Sequence, residues 1–290
     1  MACETFVKEF QSENLGLNHD TPADFVRSQW PINQKLYVGC RLLVSMAMIG
    51  WFLADIVYES AAFYQDRTWT YAVYATNWSF FLLVITSLYQ TMCSLYYTIK
   101  TSDNLDDRHF DRMPLSLKIL WVLKNLSYNS AFIVTMSYWA FIIFLDHSKV
   151  FQTDLSRLKH TMNSVYVLLD MMISATPFRL LHMLYTVALG SVYSLFNAIY
   201  FLNDGTILEG RHYAYNVLNW VKPTEAIVTC TLCIILSILS QTFLFLLYRL
   251  RLWIFFKLYF KDHSLAPLDD FESEMSSIIS EQSSYKYTME

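Results

Sequence analysis

The chemistry-bearing residues stand out against apolar surroundings. The stretch "RLKHTMNSVYVLLDMMIS", 157–174, carries His160, Asn163 and Asp170 among residues otherwise suited to a membrane. At about 100° per helical residue, Asn163 lies about 60° and Asp170 about 80° to one side of His160, and Ser164 about 40° to the other. The stretch therefore has a single polar stripe. A second stripe holds Thr76, Ser79, Ser87, Gln90 and Ser94, and a third holds His182, Thr186, Tyr193, Asn197 and Tyr200. Asn125, Tyr128 and Asn129 share a side of another segment, with Lys124 near its start. A hydroxyl within reach of an imidazole is the minimal nucleophile and base pair, which makes Thr76 and His160 candidates for ester cleavage.

The elements that must position these groups are membrane helices. Of 290 residues, 54% are hydrophobic and 16% charged, and the apolar residues come in long blocks. Blocks of about 20 residues are long enough to span a bilayer. Six spans are predicted, at about 36–57, 71–96, 119–145, 158–173, 179–202 and 226–248. The expected fold is an all-α polytopic transmembrane bundle with short loops. Residues 1–35 form an N-terminal segment, 36–250 the bundle and 251–290 a tail. The acidic, serine-rich end of that tail, "DDFESEMSSIISEQSSYKYTME", lacks the apolar periodicity needed to pack and is expected to be disordered. The first 35 residues show no short apolar core or cleavage site, so the first span is expected to serve as its own insertion signal.

Six spans put both termini on one side. Lys and Arg are more numerous in the segments on that side, which predicts cytoplasmic termini. Thr76 and His160 then begin their spans at the same outer level. Asp170, ten residues further along, lies about 15 Å deeper. It is too deep to orient His160, and pairing with His182 is the expectation for it. Polar groups at membrane depth must face the bundle interior, so the stripes predict a shared polar centre of Ser79, Gln90, Asn125, Asn129, Asn163, Asp170, His182 and Asn197. Cys230 and Cys233 form a CxxC inside an apolar span and are read as buried small residues. No cofactor, metal or nucleic-acid site is expected.

The N-terminal string "EFQSENLGLNHDTPADFVRSQWP" resembles the opening of the rolling stone family, through Gly16, Leu17, His19, Asp20 and then Phe25 to Trp30. "TNW" at 76–78, "PF" at 177–178 and "YNVLNW" at 215–220 add to the likeness, which covers about residues 6–260. The resemblance implies a multi-pass plasma-membrane protein linked to myoblast fusion in insect muscle. A more distant likeness is to the androgen-induced FAR-17a type membrane proteins. It lies in "YAT" at 74–76 and "HTMNSVYVLLD" from His160, and implies threonine- and histidine-dependent hydrolysis of fatty acid esters of hydroxy fatty acids. One neighbouring histidine of that pattern is replaced here.

Three readings stay open. The first is a cell-surface protein of cell fusion or muscle development, with protein partners meeting outward loops such as "EGRHYAYNVLNWVKP". The second is an intramembrane hydrolase of an amphiphilic lipid ester using Thr76 and His160. The third is a small-solute transporter or channel, although no inverted repeat is visible. All three place the chain in the lipid bilayer, at the plasma membrane or the endoplasmic reticulum.

Overall fold

The computed structural model describes residues 9–65, 67–100, 112–146, 148–207 and 210–259. The serine-rich end of the tail lies outside the described residues. Among the described residues six long helices follow one another, running alternately up and down: α1 (Gln34–Phe63), α2 (Ala75–Lys100), α3 (Leu115–Ser137), α4 (Asp154–Ile173), α5 (Met183–Leu202) and α6 (Pro223–Tyr259). Local chemistry marks several starts. The Asn33 side chain accepts from the amides of Lys35 and Leu36 at the head of α1, and Thr153 accepts from Ser156 at the head of α4. Pro223 opens α6, where its missing N–H costs nothing. Beyond Ser137, α3 widens into a π-helical turn, Tyr138–Ile142, and then closes with Ile143–Leu145.

Five of these helical segments are long and apolar enough to cross a membrane: Gln34–Phe63, Ala75–Lys100, Leu115–Leu145, Leu180–Leu202 and Pro223–Tyr259. The fourth predicted span, α4, falls short of that standard. The reason lies in its two faces. Lys159, His160, Asn163, Ser164 and Asp170 are buried on its inner side. Leu155, Leu158, Met162, Val165, Leu169 and Ile173 are exposed on its outer side. Lys159 and Asp170 point into the bundle, Asp154 and Arg157 are exposed in its first turn, and its leucines point out, so its average hydropathy is low although its outer surface beyond that turn suits lipid. The last predicted span is also longer than expected, since α6 continues to Tyr259, past the boundary drawn at 250.

The core of the bundle is a cluster that includes Phe80, Leu83, Tyr128, Val167, Met171 and Leu244. Below it, the N-terminal segment is a strap folded against the break between α4 and α5. Ser28 pairs with Ser174 in a short antiparallel bridge, and the Trp30 indole donates to the Met172 carbonyl at 2.7 Å. The Phe25 and Trp121 rings meet edge to face at 5.0 Å, and the Trp121 indole donates to the Pro177 carbonyl at 2.9 Å. Much of the string that carries the family resemblance is therefore packed structure.

Asp24 holds the strap's own turn. It accepts from Arg27 at 2.9 Å and from Thr21 at 2.6 Å. Burial alone would raise its carboxyl, but the Arg27 guanidinium, with His19 and Thr21, outweighs this and holds it well below the usual carboxylate range. A carboxylate lowered in the folded state contributes stability that is present above its unfolded value, about pH 4, and is lost as pH falls toward the folded one. Thermal melts should therefore show the wild type losing stability below about pH 4. Asp24→Asn should start lower and lose less over the same range. Equal losses in both proteins would contradict this assignment.

Candidate functional site

The site lies at the end of the bundle opposite the start of α1 and the end of α6, where α2 begins, α4 begins, and the α5–α6 loop folds inward. Thr76 is in the first turn of α2 and His160 in the second turn of α4. Both are buried, and Thr76 Oγ1 lies 3.2 Å from His160 Nε2. The other ring nitrogen, Nδ1, lies 2.7 Å from the Ser156 carbonyl oxygen, one helical turn back. A carbonyl only accepts, so Nδ1 carries the proton and in the neutral ring Nε2 presents its lone pair to the threonine hydroxyl. A backbone carbonyl thus does the orienting for which the sequence offered no side chain. The Tyr138 ring stacks on the imidazole at 3.9 Å, with its hydroxyl tied to the Phe151 carbonyl. The π-helical turn is what brings Tyr138 there.

Tyr215, from the α5–α6 loop, completes the cluster. The Thr76 amide donates to its hydroxyl oxygen at 3.2 Å, and the same hydroxyl lies 3.3 Å from Thr76 Oγ1. Its ring stacks on Phe151 at 5.6 Å and meets Tyr74 edge-on at 5.8 Å. Burial pushes its phenol up to about 12 against the opposing hydrogen bonds from Thr76, so it stays a neutral donor at ordinary pH. Ala214, Tyr215 and Leu218 are buried, so the centre of the loop expected to offer an outward contact surface is turned into the protein.

A cavity of about 530 Å³ opens beside Thr76, among α2, α3, α5 and α6. Thr76, Ser79 and Tyr215 supply polar groups to a wall otherwise dominated by residues such as Ile133, Leu189 and Leu218. Ser191, Cys233 and Ile234 form part of its lining and are exposed on α5 and α6, which places an opening on the side that faces lipid. Cys233, expected to be buried, is instead exposed beside this cavity. His160 does not line the cavity and reaches it through its contact with Thr76.

A buried ionic node braces the pair. Lys159 Nζ reaches Asp55 at 2.9 Å, Glu59, and the Asn77 side-chain oxygen at 3.0 Å. Tyr71 donates to Asp55 at 2.7 Å and Tyr64 to Glu59 at 2.8 Å. Lys159 and Asn77 are the immediate chain neighbours of His160 and Thr76. Among the described residues, no group of three or more His, Cys, Asp or Glu is placed to hold a metal ion.

The family model described as Protein rolling stone matches residues 1–265. The chain is 31% identical over 256 residues to Protein rolling stone of Drosophila melanogaster, covering 86% of this chain and 90% of that relative. The chain belongs to the rolling stone family. No solved structure matches it.

In this rolling stone family member the expected shared polar centre is divided. Asp170 meets Arg41 at 2.6 Å and Lys124 at 3.2 Å, and also accepts from Tyr128; His182, its expected partner, packs against Trp121 instead. Gln90 donates to Ser174 at 3.4 Å near the same end. Asn125 and Asn129 join Gln241 of α6, each at 2.9 Å, and Asn197 accepts from Trp220 at 2.9 Å. Ser79 lines the cavity, while Asn163 is buried between the two ionic groups with no protein partner for its amide. Arg251 donates to four carbonyls around the end of α4, those of Met171, Ser174, Ala175 and Thr176.

Removing one partner from a buried ion pair typically costs about 3–5 kcal/mol. Lys159→Met should lose about that much in reversible unfolding in detergent, since it strands Asp55 and Glu59. Thr76→Ala, which breaks only two long hydroxyl contacts, should lose about 1 kcal/mol. Equal losses would contradict the role of Lys159 as the brace.

Proposed function

We propose that this protein is an intramembrane hydrolase of amphiphilic lipid esters, with Thr76 as nucleophile and His160 as general base. The observation that carries the reading is the 3.2 Å contact between Thr76 Oγ1 and a His160 Nε2 whose tautomer is fixed, beside an apolar cavity that opens toward lipid. The acyl chain occupies that cavity with its ester at Thr76. Thr76 Oγ adds to the ester carbonyl carbon as its proton passes to His160 Nε2. The carbon–oxygen bond to the alcohol then breaks, and the imidazolium protonates the departing oxygen. Water gives a proton to His160 and adds to the acyl-threonine, and collapse frees the carboxylic acid and restores Thr76. The likeness around "YAT" and "HTMNSVYVLLD" supports the same residues and suggests fatty acid esters of hydroxy fatty acids as substrates.

The cellular setting comes with the family resemblance, a cell-surface protein of fusing muscle cells, and the Lys and Arg distribution supports cytoplasmic termini. Ester cleavage suits that setting, because it converts a two-tailed lipid into two single-tailed ones and so changes the shape of molecules in the bilayer.

Membranes containing equal amounts of wild type, Thr76→Ala or His160→Ala decide the chemistry. The wild type should hydrolyse fatty acid esters of hydroxy fatty acids. Each variant should fall by about 10²-fold or more, the scale of a lost nucleophile or base. A wild type no better than empty membranes on a broad ester panel would overturn the reading, as would a Thr76→Ala protein of undiminished rate.

A further inference from the structure

Addition of Thr76 to an ester would place negative charge on the carbonyl oxygen, and a buried site must supply a donor for it. We propose that the Tyr215 hydroxyl is that donor, an oxyanion-stabilising catalytic residue carried into the bundle by the α5–α6 loop. This assignment rests on the hydrolase reading above.

Three observations support it. First, Tyr215 lines the same cavity as Thr76, so its hydroxyl borders the space in which an ester would sit. Second, its lone pair is already engaged. The Thr76 amide donates to the phenol oxygen at 3.2 Å, which leaves the phenol proton to be given away. That amide bond also polarises the O–H and strengthens it as a donor. Third, the hydroxyl lies 3.3 Å from Thr76 Oγ1. With the threonine proton directed to His160, the phenol donates to Oγ1 in the empty site. When Oγ1 bonds to the ester carbon, the carbonyl oxygen comes to lie one bond away from that carbon, and the phenol donor passes to it. No proton is transferred. Tyr215 remains a phenol and its hydrogen bond shortens as charge develops, then relaxes as the carbonyl re-forms.

The ring is fixed for this task. Phe151 stacks on one face, Tyr74 meets it edge-on, and the residue is buried. A donor held in advance pays no reorganisation when charge appears, which is the source of its effect on rate. None of the contacts to Phe151 and Tyr74 needs the hydroxyl, so Tyr215→Phe removes the donor and leaves the packing.

The experiment is steady-state hydrolysis of a fatty acid ester of a hydroxy fatty acid by wild type and Tyr215→Phe in membranes, with melting temperatures measured alongside. The expected result is a kcat lower by about 10²–10³-fold, with KM within a few-fold and the melting temperature preserved. A variant kcat within about twofold of wild type would overturn the assignment while leaving the Thr76 and His160 hydrolase intact. A raised KM with unchanged kcat would also overturn it, by making Tyr215 part of the binding wall alone. If Tyr215→Phe is destabilised, a more acidic fluorinated tyrosine at this position decides instead. It should bring an alkaline loss of kcat to lower pH, because the neutral phenol is the active form, and an unmoved profile would overturn the proposal. A wild type that cleaves no ester fails the hydrolase reading itself and takes this assignment with it.

Discussion

A lysine can be kept inside an apolar bundle only if opposite charge comes with it. Lys159 meets this demand with Asp55 and Glu59 of α1, and both carboxylates are in turn held by tyrosine hydroxyls. Much of the local architecture follows. Desolvating an isolated charge costs several kcal/mol, so α4 is fixed in the rotation and register that bring Lys159 to its partners. Asn77 joins the same ammonium from α2. The node therefore ties α1, α2 and α4 together at one level, and the residues next to Lys159 and Asn77 in the chain are His160 and Thr76. Their 3.2 Å contact depends on this brace.

The opposite end repeats the solution with reversed signs. Asp170 is the carboxylate there, and Arg41 and Lys124 surround it. Arg251 is held differently, its two terminal nitrogens donating to carbonyls left open where α4 stops. Cations at a helix C-terminus also complement its dipole. The strap of residues 16–30 packs over this break, with Trp30 and Ser28 bonding to the last carbonyls of α4. One helix with charges at both ends is thus held at both ends. Its middle carries Asn163, and beyond the exposed Asp154–Arg157 pair of its first turn its exposed side chains are all apolar.

The helical, membrane-spanning nature of the chain was legible in the sequence, because blocked hydropathy is a length-scale signal that needs no tertiary knowledge. The pairing of Thr76 with His160 was legible as well: alternating helices put both near the start of their segments, at one level. The brace was not. Asp55 lies near the end of the first predicted span and Glu59 just past it on the same helical face, a pair that favours a nearby cation, but nothing local says which. Lys159 sits at the very start of the fourth predicted span and Arg251 just after the sixth, positions at which a cation is equally at home in the interface, so the pattern does not mark either as buried. Tyr215 was hidden more deeply, since a loop gives no periodicity from which to infer an inward side chain. The single polar centre failed because a helix of about 30 Å can carry polar residues along one face without bringing its ends together.

The central claim is that Thr76 forms a bond to the acyl group of a lipid ester. The most direct test is to quench the protein during turnover of such an ester, digest it, and read the mass of the peptide containing Thr76. An added acyl mass is expected on that residue, absent from Thr76→Ala. Acyl mass on another side chain, such as Cys233 at the cavity, or rapid turnover with no acylated peptide under conditions that preserve esters, would contradict it.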